Sequence, residues 1–145
     1  MSYNPNSQQG IGRSIQRGYL NGTGSTLAQA TLVSANTSGN LVALDVSNEA
    51  LVLSMVGLTS FAIPAAANGT VISEGVLENV TTAFAIGDAI YASATPGALT
   101  NVKPDTGSNG FVAGDFVVFV GVLVQNEFNP AQNDIKLMLS VVGRL

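Results

Sequence analysis

Cysteine, histidine and tryptophan are all absent from this chain of 145 residues. Without cysteine there is neither a disulfide framework nor a thiolate metal site. Without histidine the commonest general base and the commonest imidazole ligand are missing together. Nucleophile triads of the Ser-His-Asp or Cys-His kind are therefore excluded. Charge is scarce as well: 10% of residues are Asp, Glu, Lys or Arg, where a soluble domain carries about 25%. The opening Met1-Ser-Tyr-Asn-Pro-Asn6 has no charged start followed by an apolar run, so it does not read as a signal peptide. No stretch of about 18 apolar residues occurs, so no membrane partner is expected. Synthesis in a cytosol without export is the expectation.

What is present is apolar and small. Apolar residues make up 46% of the chain. A monomer with so little charge is poorly protected against association. Much of its surface is therefore expected to be covered by further copies or by a partner. The net charge of −4 is unevenly spread. Residues 1–26 carry Arg13 and Arg17 and no acid, while all nine acids lie in residues 27–145. Two arginines make no basic stripe, so no nucleic-acid partner is expected.

The chain divides in two. Residues 1–26 are rich in Ser, Asn, Gln and Gly and read as an extended N-terminal arm. Ile11, Ile15 and Tyr19 are spaced four apart, which would suit a short helix. The glycines interleaved with them argue against it, each costing about 1 kcal/mol in a helix interior.

Residues 27–145 read as one all-β domain, an antiparallel sandwich or barrel. Residues 30–35 and 40–46 are strand-like, and Asn36-Thr-Ser-Gly-Asn40 between them makes a hairpin turn. Ser47 could cap a helix over residues 50–58, but Val52, Val56 and Gly57 favour a strand. Residues 70–77 form a strand interrupted at Gly75, where a bulge or close backbone approach is expected. Residues 116–124 are the longest apolar stretch and predict a central strand; residues 135–142 predict the last. Asn21-Gly22 and Asn68-Gly69 are turn dipeptides.

One local echo stands out. Phe84-Ala-Ile-Gly-Asp-Ala-Ile-Tyr91 is matched by Phe111-Val-Ala-Gly-Asp-Phe-Val-Val118. In both, Gly-Asp precedes an apolar run, as in a turn feeding a strand. Two similar strand entries in one barrel or sandwich would produce this, and so would common turn chemistry.

Catalytic signals are weak. Glu74, Glu78, Asp88 and Asp115 could supply a carboxylate pair for glycoside hydrolysis. Each has a simpler role as a solvated or turn-bonding group. Glu127, Asn133 and Asp134 do not match a calcium loop. There is no phosphate-cradling Gly-rich motif. No catalytic residue, cofactor or metal site is expected.

Several segments together resemble a known family. They are Gly69-Thr-Val-Ile-Ser-Glu-Gly75, Phe84 to Ser93, Pro96 to Pro104, and Gly114-Asp-Phe-Val-Val-Phe-Val-Gly121. The closing run from Asn129 to Leu145 joins them. Residues 55–145 are similar to the β-rich modules of tailed-phage capsid cement (head-decoration) proteins, with similar modules in phage fibre and spike proteins. The resemblance implies a structural virion protein on the capsid surface, made in the cytoplasm of a bacterial host. Its partner would be the major capsid protein, whose neighbouring subunits it would bridge. It also implies a homotrimer, an assembly that would cover the sheet edges of so apolar a protein. An arm would suit residues 1–26, with Ile11, Arg13, Ile15 and Arg17 as the expected capsid contacts. Residues 1–54 do not share the pattern, which keeps a tail fibre or spike component binding a host receptor as the alternative. A polysaccharide hydrolase is the third reading.

Overall fold

The computed structural model describes residues 15–145. Its strands are β1 (Ile15–Leu20), β2 (Leu32–Ala35), β3 (Leu41–Ala43), β4 (Met55–Thr59), β5 (Asn68–Leu77), β6 (Ala89–Ala92), β7 (Leu99–Thr100), β8 (Phe116–Gln125) and β9 (Asn133–Arg144). Among the described residues one short helix, α1 (Glu49–Leu53), lies between β3 and β4. Among the described residues the strands form one sheet in the order β3-β2-β4-β5-β9-β8-β6-β7, with β1 also paired to β5. Every strand pair is antiparallel. The sheet curls into a half barrel, so the all-β antiparallel expectation is met.

Strand β5 joins two halves. Its residues 68–74 pair with β1 and its Val71 and Ile72 with β4, whereas Gly75–Leu77 pair with β9. The change of partner falls at Gly75, whose φ of 99° lies in the left-handed region that glycine tolerates best. The interruption expected there is thus the pivot of the sheet.

The β2–β3 hairpin follows from Asn36. Its Oδ1 accepts from the N–H groups of Ser38 and Asn40 at 2.9 and 3.0 Å, while Gly39 N donates to its carbonyl. The region 50–58 departs from the all-strand expectation. The side chain of Asn48, not Ser47, caps α1 by accepting from Leu51 N. The hydroxyl of Ser54 bonds Ala50 O at 2.7 Å and closes the turn. One turn of helix lets Val52 reach the main core at 2% exposure. Local capping plus that burial outweighs the strand preference of two valines.

The N-terminal segment holds a second departure. Ile15–Leu20 is neither helix nor free of the domain: it pairs with β5 from Glu74 to Asn68. A strand is held first by its backbone partners, so a segment with Gln, Arg and Gly at its centre can join a sheet, and here Tyr19 also packs on the smaller core. Asn21 then ties the chain down. It is 1% exposed, and its amide donates to the carbonyls of Ser25, Ile63 and Pro64. Its Oδ1 accepts from both N and Oγ1 of Thr23.

Two cores result. The main one lies inside the curl and draws on both halves: Leu32, Leu58 and Ile72 meet Ile90, Val118, Val120, Leu123 and Ile135. The smaller lies on the other face of the first half, where Leu27, Val33, Leu41, Ile63 and Val71 pack together with Tyr19 and Ala67. Each fully buried Leu, Ile or Val contributes roughly 1.5–3 kcal/mol.

Candidate functional site

The outer face of the second half has no such cover. Cross-strand register aligns Thr100, Tyr91, Phe119 and Ser140 in one row. Ala89, Val122, Lys136 and Val76 form the next. These residues alternate with the main-core residues of the same strands, so they point away from it. None belongs to either buried cluster. Tyr91 and Phe119 meet edge-to-face with ring centroids 5.6 Å apart at 71°. Met138, between the rows, is 44% exposed. Lys136 is the one charged side chain in the two rows. The result is an outer face of mixed small, apolar and polar side chains with a central aromatic pair, which suits contact with a protein surface.

A shallow groove borders this face. One part is lined by Ser73, Glu74, Gly75, Val76 and residues 136–139. It continues into a second part of about 450 Å³, lined by Ile15, Arg17, Tyr19, Met55, Val56, Val71 and Leu139. The two parts share Ser73, Glu74 and Leu139. Ile15 and Arg17, both expected contacts, are therefore exposed and line one groove beside this face. Ile11 and Arg13 lie outside the described residues. Sequence reasoning passed over Tyr91, Phe119 and Met138. The signal available was alternation along residues 89–92 and 135–139, but only the partner strands show which face stays bare.

The carboxylates are held by structure. Asp88 Oδ2 accepts from Ala85 N at 2.9 Å and Asp115 Oδ2 from Val112 N at 3.0 Å. In each turn the Asp N–H also returns to the same residue's carbonyl. Gly87 and Gly114 have φ of 91° and 98°. Each turn then grips one leucine: Gly87 N and Asp88 O bond O and N of Leu123, as Gly114 N and Asp115 O bond O and N of Leu145. The sequence echo is thus a repeated strand entry that shares these four backbone and Asp side-chain bonds, while Asp88 alone also accepts from the Asn101 amide. Hydrogen bonds from the Asn101 amide and from Ala85 N hold the Asp88 carboxyl below its ordinary value.

Asp134 is buried and accepts from Asn79 N, Asn126 Nδ2 and Gln132 Nε2, which fixes the β8–β9 loop. Glu74 sits opposite Ile15 in the groove, and Glu78 is exposed. Among the described residues no three acidic side chains converge on a point that could hold a metal ion.

A family model described as phage cement protein matches residues 21–138. The chain belongs to the phage cement protein family. The match starts well before residue 55, so the first half of the sheet belongs to the cement unit as much as the second. Membership makes this a structural protein of the phage capsid with a stabilising role. No curated protein and no solved structure matches the chain. The outer face around Tyr91, Phe119 and Met138 and the groove beside it form one candidate docking surface on the described residues.

Proposed function

We propose that this cement protein binds the outside of the phage head and bridges neighbouring major capsid subunits. The outer face around Tyr91, Phe119 and Met138 carries this reading, because a capsid-stabilising protein with aromatic and apolar side chains outside its cores has a ready place for its partner. Burial of such a face on the shell is favourable at about 25 cal/mol per Å² of apolar area. Many weak contacts repeated over the shell add through multivalency.

The N-terminal segment, residues 1–26, serves as an arm rooted on the body by β1 and Asn21. Ile11, Arg13, Ile15 and Arg17 are its proposed capsid contacts, and residues 27–145 form the body. The cement protein works as a homotrimer, which covers sheet edges and suits a shell of repeated symmetry. It needs no enzyme activity, nucleic acid or membrane.

Copy number per purified virion, measured against the major capsid protein, tests the assignment. A ratio near one to one supports it. A ratio of a few per cent moves the protein to a tail fibre or spike. Mapping the surface then takes Phe119→Ser and Arg17→Ala proteins incubated with expanded heads. Full occupancy by both variants would remove this face and groove from the interface.

A further inference from the structure

Three Asn-Gly pairs occur in the chain, at Asn21-Gly22, Asn68-Gly69 and Asn109-Gly110. This dipeptide is the one most prone to spontaneous loss of the side-chain amide. In that reaction the following backbone nitrogen attacks the Asn Cγ. A new N–Cγ bond forms, the Cγ–Nδ2 bond breaks, and ammonia leaves, taking up the proton given up by the backbone nitrogen. Water then opens the resulting succinimide to Asp or to iso-Asp. The chemistry needs a free side-chain amide, a free glycine N–H and room for the backbone to turn.

The fold grants these to one pair of the three. Asn21 is 1% exposed, with its amide on three carbonyls and Gly22 N donating to Leu41 O at 2.9 Å. Asn68 opens β5 opposite Leu20, and the backbone of Gly69 lies directly under the Ile63 side chain. Asn109 and Gly110 are both exposed at a loop tip. Asn109 has φ of 52° and Gly110 of 85°, the conformation of a tight turn closed by Phe111 N on Ser108 O at 3.0 Å. No hydrogen bond engages the Asn109 side chain or Gly110 N among the described residues.

We propose that Asn109 is the site at which this protein deamidates in the folded state. The modification is not a neutral one. It adds a negative charge to the loop. In the iso form it also inserts a methylene into the main chain of the turn that closes on Phe111, whose side chain is 2% exposed in the main core. Ageing of the particle would therefore act on a core anchor through a surface loop.

The test is peptide mapping by mass spectrometry of the full-length protein held at mildly alkaline pH, folded and in denaturant. Unfolded, the three sites should react at similar rates. Folded, Asn109 should lead, with Asn21 at least about a hundredfold slower because it must first open locally. An Asn109→Ser protein should lose the leading product and keep the slow ones. Modification of Asn68 or Asn21 ahead of Asn109 in the folded protein would overturn the proposal. So would an unmodified Asn109 under conditions where the denatured chain reacts there.

Discussion

The two halves of the sheet share strand β5 and one core, yet they treat their outer faces differently. The first half covers its outer face with Leu27, Ile63, Tyr19 and Ala67. The second leaves Tyr91 and Phe119 half-buried and Met138 exposed, all outside either buried cluster. Both faces carry apolar side chains, so hydrophobicity alone does not separate structural from functional surface. What separates them is chain geometry. The segments 21–31 after β1 and 60–67 before β5 bring Leu27 and Ile63 over the first half, whereas none of the links of the second half adds a residue to that cluster. On the proposed function, this face is where the capsid docks.

That contrast can be broken in graded steps. The largest effect is expected where backbones nearly touch. A Cβ at Gly121, on β8, would lie 2.1 Å from Lys136 O, and one at Gly57 equally close to Ile72 O. Gly121→Ala should cost about 4 kcal/mol by forcing β8 from β9. Chemical denaturation reads it, and Gly57→Ala should do the same to the first half.

Next comes the cover itself. Ile63→Ala removes the centre of the second core and should cost about 3 kcal/mol, with a matching fall in Tm. Head binding should survive wherever the variant stays folded. The mirror experiment is Phe119→Ser on the bare face. It should cost only about 1 kcal/mol, since the ring is half-buried and loses mainly the Tyr91 contact, yet reduce occupancy on expanded heads about tenfold, equal to 1.4 kcal/mol. Equal stability losses at Ile63 and Phe119 would erase the distinction between the faces.

The smallest effect concerns the repeated turn. Asn101→Ala should let the Asp88 carboxyl rise toward its ordinary value, because the Asn101 amide is the larger cause holding it down. NMR titration of the Asp88 carboxyl in both proteins checks it. Because the folded value of Asp88 is lowered, its stabilising contribution is present above the unfolded value and lost as pH falls through the folded one. The variant should therefore differ from the parent above that acid range and converge with it below.

Legibility was uneven for physical reasons. The hairpin at Asn36, the pivot at Gly75 and the long strands β8 and β9 were readable because turn chemistry and apolar runs are local signals. The helix at Glu49–Leu53 was not, since one turn of capping competes with β-propensity and is decided by where Val52 is buried. Strand β1 was hidden because its stability comes from backbone bonds to residues more than 45 positions away. Ile15 and Arg17, named from the sequence as capsid contacts, lie exposed on β1. Tyr91 and Phe119 were not legible as partners, because they meet only through the β6–β8 register.

By itself the sequence determined the class of protein: all-β, without cysteine or histidine for thiolate, triad or imidazole chemistry, poor in charge, and carrying a repeated Gly-Asp turn signal. Tertiary structure alone decided which apolar residues became core and which became surface. An alternating strand offers two apolar faces, and nothing in its own residues says which will be covered. That choice rests on long-range register and on the path of the covering loops, which exist only once the chain has folded.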